Sequence, residues 1–418
     1  MLNNPFCYVP TEEIAAVARE LASRIAATPG LHALFAEGKM LGVLQVEKPD
    51  GTQGFLYAFS GRAGEKSVVE GFVPPIFDYD PAAIVASSAE ESQRLQRWLF
   101  EQYRVRNGKG ETRSIYEIFA ERGLVPPGGT GDCAAPKLLQ HAFLNGYKPL
   151  AIGEFWYGRP PQREVRREGC FYPACTGKCG PLLGWMLQGV EVEPNPLESD
   201  ALWRLDRPVV RYEDATLLVV EKPAGMLAVP GRTPRLSLAG WLEQACGCPV
   251  YPCHRLDMDT SGLMVFAKDV PAQSALQQQF ENRQVAKAYL ARLVPGRPVD
   301  PKTGTIALPL ILDYYDRPRQ MVDPLHGKTS VTGYELLRED PDGTALVRLI
   351  PHTGRTHQLR VHCAHEAGLG RPIVGDRLYG GTKAGAEISG RLMLHAAYLS
   401  FRHPVTAARM TFRSEPEL

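Results

Sequence analysis

The chain has 418 residues, 44% of them hydrophobic and 22% charged, values that suit two or three globular domains, each with its own core. No run of 18 apolar residues occurs, and the N-terminus lacks a basic stretch followed by an apolar one. Neither a membrane span nor a secretory signal is expected, which places the protein in the cytoplasm. Net charge is only +1 but unevenly spread: residues 201–418 carry 27 basic and 22 acidic side chains, residues 1–200 carry 20 and 24. The surplus in the second half suits a polyanionic partner. Nine cysteines, an odd number and scattered, read as free thiols.

Taken in order, residues 11–28 place apolar side chains at helical spacing, with Thr11 two residues before Glu13, and predict an amphipathic helix. Residues 39–60 alternate around Pro49–Asp50–Gly51 and predict a hairpin. Residues 82–106, rich in Ala, Gln, Arg and Glu, predict a helix with a solvated surface. The Gly-rich turn 128–137 leads into a helical pattern, LLQHAF. It lacks the GKS/GKT ending and preceding strand of a phosphate-binding P-loop, so nucleotide binding is not expected there.

Cys170, Cys175 and Cys179, with Cys133 and His141 upstream, could form a four-ligand site. Their C-x4-C and C-x3-C spacings are not the tight pairs of a zinc module, so buried thiols are the preferred reading. Tyr147, Phe155, Trp156, Tyr157, Arg159, Arg163, Arg166 and Arg167 mix aromatics with arginines, as a single-strand RNA surface would. A core edge beside a charged loop explains them as well and is favoured. Residues 190–208 are acidic, Pro-bearing and aperiodic, and the linker (196–208) is placed there between a domain at 1–195 and another at 209–418.

The second half opens on a strand at 217–221 and a turn, Lys222–Pro223–Ala224–Gly225. A dense polar loop follows, Cys253–His254–Arg255–Leu256–Asp257–Met258–Asp259–Thr260–Ser261–Gly262, running into the apolar strand Leu263–Lys268. Such a loop is where function sits, although an Asx-turn carboxylate would account for Asp257 equally well. A polar helical pattern at 271–284 precedes a strand carrying Tyr289. A second polar stretch, His352–Thr353–Gly354–Arg355–Thr356–His357–Gln358–Leu359–Arg360–Val361–His362, suggests another part of one site. Trp203–Arg204–Leu205–Asp206 mimics the first motif without its His or its Thr–Ser–Gly, and is set aside as a decoy.

HRLDMDTSGLMVFAK, RQVAKAY and PHTGRTHQLRVH, in that order and spacing, resemble the signature, tyrosine and arginine motifs of the RluA-type pseudouridine synthases. The likeness extends to the KPAG turn, to LPLILDYYDRPRQMV and to GRPIVGDRLYG (370–380), over about the last 210 residues; residues 1–195 lie outside it. The resemblance implies an α+β protein, with a mixed, mainly antiparallel sheet flanked by helices and loops, preceded by a separate α+β N-terminal domain. It implies isomerisation of uridine to pseudouridine in ribosomal or transfer RNA, without metal or other cofactor; a monomer is expected.

By the same resemblance Asp257 is the catalytic carboxylate, Arg360 the arginine that pairs with it, and Tyr289 the ring that packs on the base. Arg255 helps fill the gap left by the flipped nucleotide. His254, Thr260, Lys287, Arg355 and His357 are expected substrate contacts from the same motifs. Two other classes stay in view: an RNA-folding protein whose isomerase activity is incidental, and a metal-dependent hydrolase built on His352, His357, His362 and His365. Against the second, those histidines are expected to bond backbone or pack.

Overall fold

In the computed structural model, residues 1–80, 88–195, 207–231, 235–314, 316–383 and 391–416 are described. The chain divides into two compact units. The first is Met1–Asn195 with Leu312–Arg319 and Gly381–Ala386; the second is Pro196–Ile311, Gln320–Gly380 and Glu387–Leu418. The expected linker, apart from 207–208, and the Trp203–Asp206 triplet lie outside the described residues.

In the first unit a five-stranded sheet runs in the order Thr382–Lys383, Cys170–Phe171, Lys148–Tyr157, Lys39–Glu47, Gln53–Phe59. The last two form the expected hairpin, with Asp50 accepting the Thr52 N–H at 2.9 Å in its turn. Alternation along the strand 39–47 dictates two cores. Leu41 and Val43 pack with Ile14, Ala18, Leu21 and Ile25 of the helix Glu12–Ala27, capped by Thr11 as its sequence predicted. Leu44 and Val46 pack on the other face with Leu138 and Ala142 of the helix Ala134–Leu144. That helix crosses the sheet at Gly42, where a Cβ would sit 2.8 Å from the Ala134 Cβ, so only a bare backbone admits it.

Two expectations for this unit need correcting. The helix expected over 82–106 is described as Ala89–Gln102, and 104–106 instead form a short strand with Thr112–Ser114. Tyr103 breaks the run: its ring is buried among Phe77, Tyr79 and Phe100, and its hydroxyl donates to Asp132 at 2.8 Å. The aromatic–arginine stretch is the core edge that was favoured. Phe155 and Tyr157 are buried, and Arg166 is enclosed, ion-paired to Asp316 at 2.7 Å and stacked over Tyr172.

The second unit is built on a ten-stranded sheet. Its main path runs Thr303–Ala307, Val331–Glu339, Ala345–Pro351, Ala286–Leu293, Leu394–Arg402, Ser261–Ala267, Leu217–Lys222, Val209–Glu213. Ser261–Ala267 pairs in parallel with Leu394–Arg402 and the other ladders of this path are antiparallel, so the sheet is mixed and mainly antiparallel as expected. Every residue of Ser261–Ala267 is buried because helices cover both faces. Met264 and Phe266 meet Leu238 and Leu242 of the helix Leu238–Cys246; Leu263 and Val265 meet Ala272 and Leu276 of the helix Val270–Glu281. The polar loop 253–260 therefore enters a strand buried along its whole length.

Candidate active site

The loop carrying Asp257 is held by its neighbours' backbones. Thr260 N–H donates to the Asp257 carbonyl at 3.1 Å, closing a turn. The Met258 carbonyl receives two donors, Gly225 N–H at 2.9 Å and the Lys222 ammonium at 2.8 Å. Lys222 is fully buried and also donates to the carbonyls of Met226 at 2.7 Å and Pro223 at 2.9 Å, so its three N–H groups are all used. Burial pulls its pKa down to about 7, against the opposing pull of Asp259 and Asp257. After the turn, Gly262 takes φ +114°, with Ala396 backbone atoms 2.5 Å from where a Cβ would be. A larger residue would push the strand off its parallel neighbour.

His254 lines the cleft and is also held by the protein itself. Its Nε2 accepts the Val265 N–H at 3.1 Å and its ring stacks on Phe280 with centroids 4.5 Å apart. Burial, with the Lys287 charge beside it, drives its pKa down to about 3, so the ring is neutral and its lone pair is engaged. It ties the start of the loop to the strand.

Tyr289 sits on the strand Ala286–Leu293, opposite Ala396 on one side and Leu349 on the other, between two apolar clusters. Burial and the Asp257 charge push its phenol well above the usual range, so it stays protonated at neutral pH and can donate but not accept a proton. Lys287, two residues earlier, lies 6.0 Å from the centre of the Phe280 ring, and burial lowers its pKa.

Arg360 lies on the buried helix Gln358–Ala364. The amide of Gln358 orders the loop before that helix: its oxygen accepts from Thr353 Oγ1 at 2.7 Å and Arg355 N–H at 3.1 Å. Its nitrogen donates to the Val331 carbonyl and Thr332 Oγ1.

The expected direct pairing of Arg360 with Asp257 is corrected. Arg360 Nε and Nη2 grip Asp376 Oδ2 and Oδ1 at 2.8 and 2.7 Å, a planar two-pronged contact sealed from solvent. Asp376 also accepts the N–H groups of Leu378 and Tyr379. The short side chain of Asp376, fixed by that turn, fits the guanidinium fork, whereas Asp257 faces the cleft and reaches Arg360 only through space. Burial alone would raise the Asp376 carboxyl; the Arg360 charge and the hydrogen bonds hold it below the usual carboxylate range.

Asp257, Tyr289 and Arg360 line one cleft of about 870 Å³ together with His254, Arg255, Thr260, Lys287, Arg355 and His357, so all nine expected positions converge. Arg255 and Arg355 are exposed at it; Arg355 Nε also donates to the Thr329 carbonyl at 3.1 Å. Thr260 is buried and serves the turn. His357, in a left-handed conformation at φ 53°, bonds the Tyr379 hydroxyl through Nδ1 at 2.8 Å. His362 Nε2 bonds Ser330 Oγ at 3.0 Å and His365 Nδ1 accepts Ala367 N–H, which assigns both to local structure.

Sequence reasoning assigned no role to Lys222, Asp376, Tyr379 or the exposed, cleft-lining Arg283. The KPAG, GDRLYG and RQVAKAY segments that contain them were the only signal. Chemically, a half-buried carboxylate facing open space, with a buried cation and a protonated phenol nearby, can attack a carbon, stabilise positive charge on a sugar or take a proton. The exposed arginines at the mouth suit a phosphate backbone.

Residues 216–365 match the family model described as RNA pseudouridylate synthase, which gives the class. The dual-specificity RNA pseudouridine synthase RluA of Vibrio vulnificus is 46% identical over 198 residues, which are 46% of this chain and 77% of that protein. Its counterpart from Pasteurella multocida is 43% identical over 211 residues, 50% of this chain and 92% of that protein. A solved structure, Human RNA Pseudouridylate Synthase Domain Containing 1, is 30% identical, with 54% of this chain and 86% of that chain covered and a TM-score of 0.43. The chain belongs to the RluA-type RNA pseudouridine synthases, a family of isomerases.

Proposed function

We propose that this chain converts one or a few uridines of ribosomal or transfer RNA to pseudouridine, with Asp257 as the catalytic carboxylate. The N1–C1′ bond breaks, the base turns, a C1′–C5 bond forms, and C5 loses its proton as N1 gains one. Asp257 acts against the ribose, as nucleophile or as the base for a sugar proton. Tyr289 stacks on the extruded base and can donate from its hydroxyl. Arg360, gripped by Asp376, presents a fixed positive charge to Asp257 through space. Arg255 fills the space the nucleotide vacates, and Lys287 and Arg355 meet phosphate or base. The observation that carries this reading is the convergence of Asp257, Tyr289 and Arg360, distant in sequence, on one cleft.

The protein works in the cytoplasm as a monomer, with residues 209–418 catalytic and residues 1–195 a separate domain. Among the described residues no helix is long and apolar enough to cross a membrane. Pseudouridine mapping across all RNAs of cells lacking the gene tests the activity: loss of one or a few sites, restored by the wild-type chain, is expected. An unchanged map would overturn it.

The buried ammonium of Lys222 positions the catalytic loop through the Met258 carbonyl. Lys222→Met should cut kcat by roughly 10²-fold, the effect of a displacement near 1 Å, with a much smaller change in KM for RNA. Steady-state kinetics check this; a change in KM alone would give Lys222 a binding role instead.

A further inference from the structure

We propose that Cys133, Cys175 and Cys179 of the first unit bind one zinc ion. This goes beyond the isomerase reading and is independent of it. The three sulfurs lie within 4.8 Å of one another, although Cys133 is some forty residues from the other two in sequence. A tetrahedral zinc with Zn–S bonds near 2.3 Å sets its sulfurs about 3.8 Å apart. Side-chain rotations of under about 1 Å therefore close the site without moving the backbone.

The surroundings are built for thiolates. Cys133 is the N-cap of the helix Ala134–Leu144, where partial positive charge favours an anion. In the Cys175–Thr176–Gly177–Lys178–Cys179 loop, the backbone N–H groups of Lys178 and Cys179 point at Cys175 Sγ, as N–H groups do in metal-binding knuckles. The second residue after Cys133 is fixed as well: Ala135 N–H donates to the enclosed carboxyl of Glu154 at 3.1 Å. Lys178 places a positive charge near the cluster, offsetting the net negative charge of three thiolates on a dication.

Cys179 is buried, whereas Cys133 and Cys175 are partly exposed, so the open side of the trio can admit a water as fourth ligand. Binding releases the three thiol protons and forms three Zn–S bonds, with no change of oxidation state. Soft sulfur donors at tetrahedral spacing select zinc over the hard cations. The ion would clip the 175–179 loop to the start of the helix Ala134–Leu144, adding a cross-link at the edge of the apolar core they share.

The test uses the full-length chain, purified under reducing conditions without chelator. Elemental analysis should find about one zinc per chain, falling at least roughly tenfold in Cys175→Ser and unchanged in Cys246→Ser. Because Cys175→Ser could unfold the unit, metal-free wild-type protein is also titrated with cobalt(II) alone. A sulfur-to-cobalt charge-transfer band with strong tetrahedral d–d bands, saturating at about one equivalent, supports the site. Wild-type protein with no bound zinc and no such band on cobalt addition, zinc retained in Cys175→Ser, or iron as the stoichiometric metal would each overturn it.

Discussion

Asp257→Ala is expected to reduce pseudouridine formation by roughly 10⁴-fold or more, to the detection limit of nucleoside mass spectrometry. The side chain is half-buried at the cleft, and the structure assigns no hydrogen bond to its carboxylate; its carbonyl, which holds the turn, survives the change. Folding should therefore be preserved, with a melting temperature near that of the wild type. RNA affinity should hold or rise slightly, since a negative charge leaves a surface meant for phosphate. Substantial residual turnover would remove Asp257 from the chemistry. Loss of binding in step with activity would make it a structural residue of the loop. The same variant separates the isomerase from the RNA-folding reading, because a folding activity would survive it.

The second large effect concerns stability. Arg360→Met should destabilise the second unit by about 3–5 kcal/mol, because it leaves the carboxylate of Asp376 buried without its counter-charge. For a unit of this size that corresponds to a melting temperature lower by roughly 10 °C. Arg360→Met with Asp376→Asn removes the orphaned charge and should recover much of the stability, yet not the activity, since the cation beside Asp257 is still missing. Recovery of both would confine Arg360 to scaffolding.

The pair also sets a pH dependence. Asp376 has a folded-state pKa below its unfolded value of about 3.9, so its stabilisation is fully present above that value and is lost as pH falls through the folded pKa. Chemical denaturation below pH 4 should therefore show a steeper loss of stability in the wild type than in the double variant.

The sequence made much of this site legible for one reason: three short motifs each place a polar group on a loop or element end that feeds the same sheet. The period-2 pattern at 39–60 and the helical pattern at 11–28 were equally plain, because one face of each is apolar. What stayed hidden depends on contacts between distant residues. Arg360 meets Asp376, not Asp257, and nothing in the periodicity of either segment announces that partnership. Lys222 reads as a turn residue until the fold encloses it with three carbonyls. The strand at 104–106 defeats local propensity because Tyr103 is drawn into an aromatic core. Cys133, Cys175 and Cys179 have spacings unlike those of a compact module, which favoured separate buried thiols over a shared site; the fold brings the three sulfurs together.

The central claim is that the Asp257 carboxylate works on the ribose of an extruded uridine stacked on Tyr289. A crystal structure of the Asp257→Asn chain bound to an RNA containing the mapped uridine tests it most directly. The account predicts that nucleotide turned out of its stack into the cleft, base against the Tyr289 ring, with C1′ about 3–3.5 Å from the residue-257 side chain. A uridine left in its helix, or one seated with its ribose away from residue 257, would contradict it.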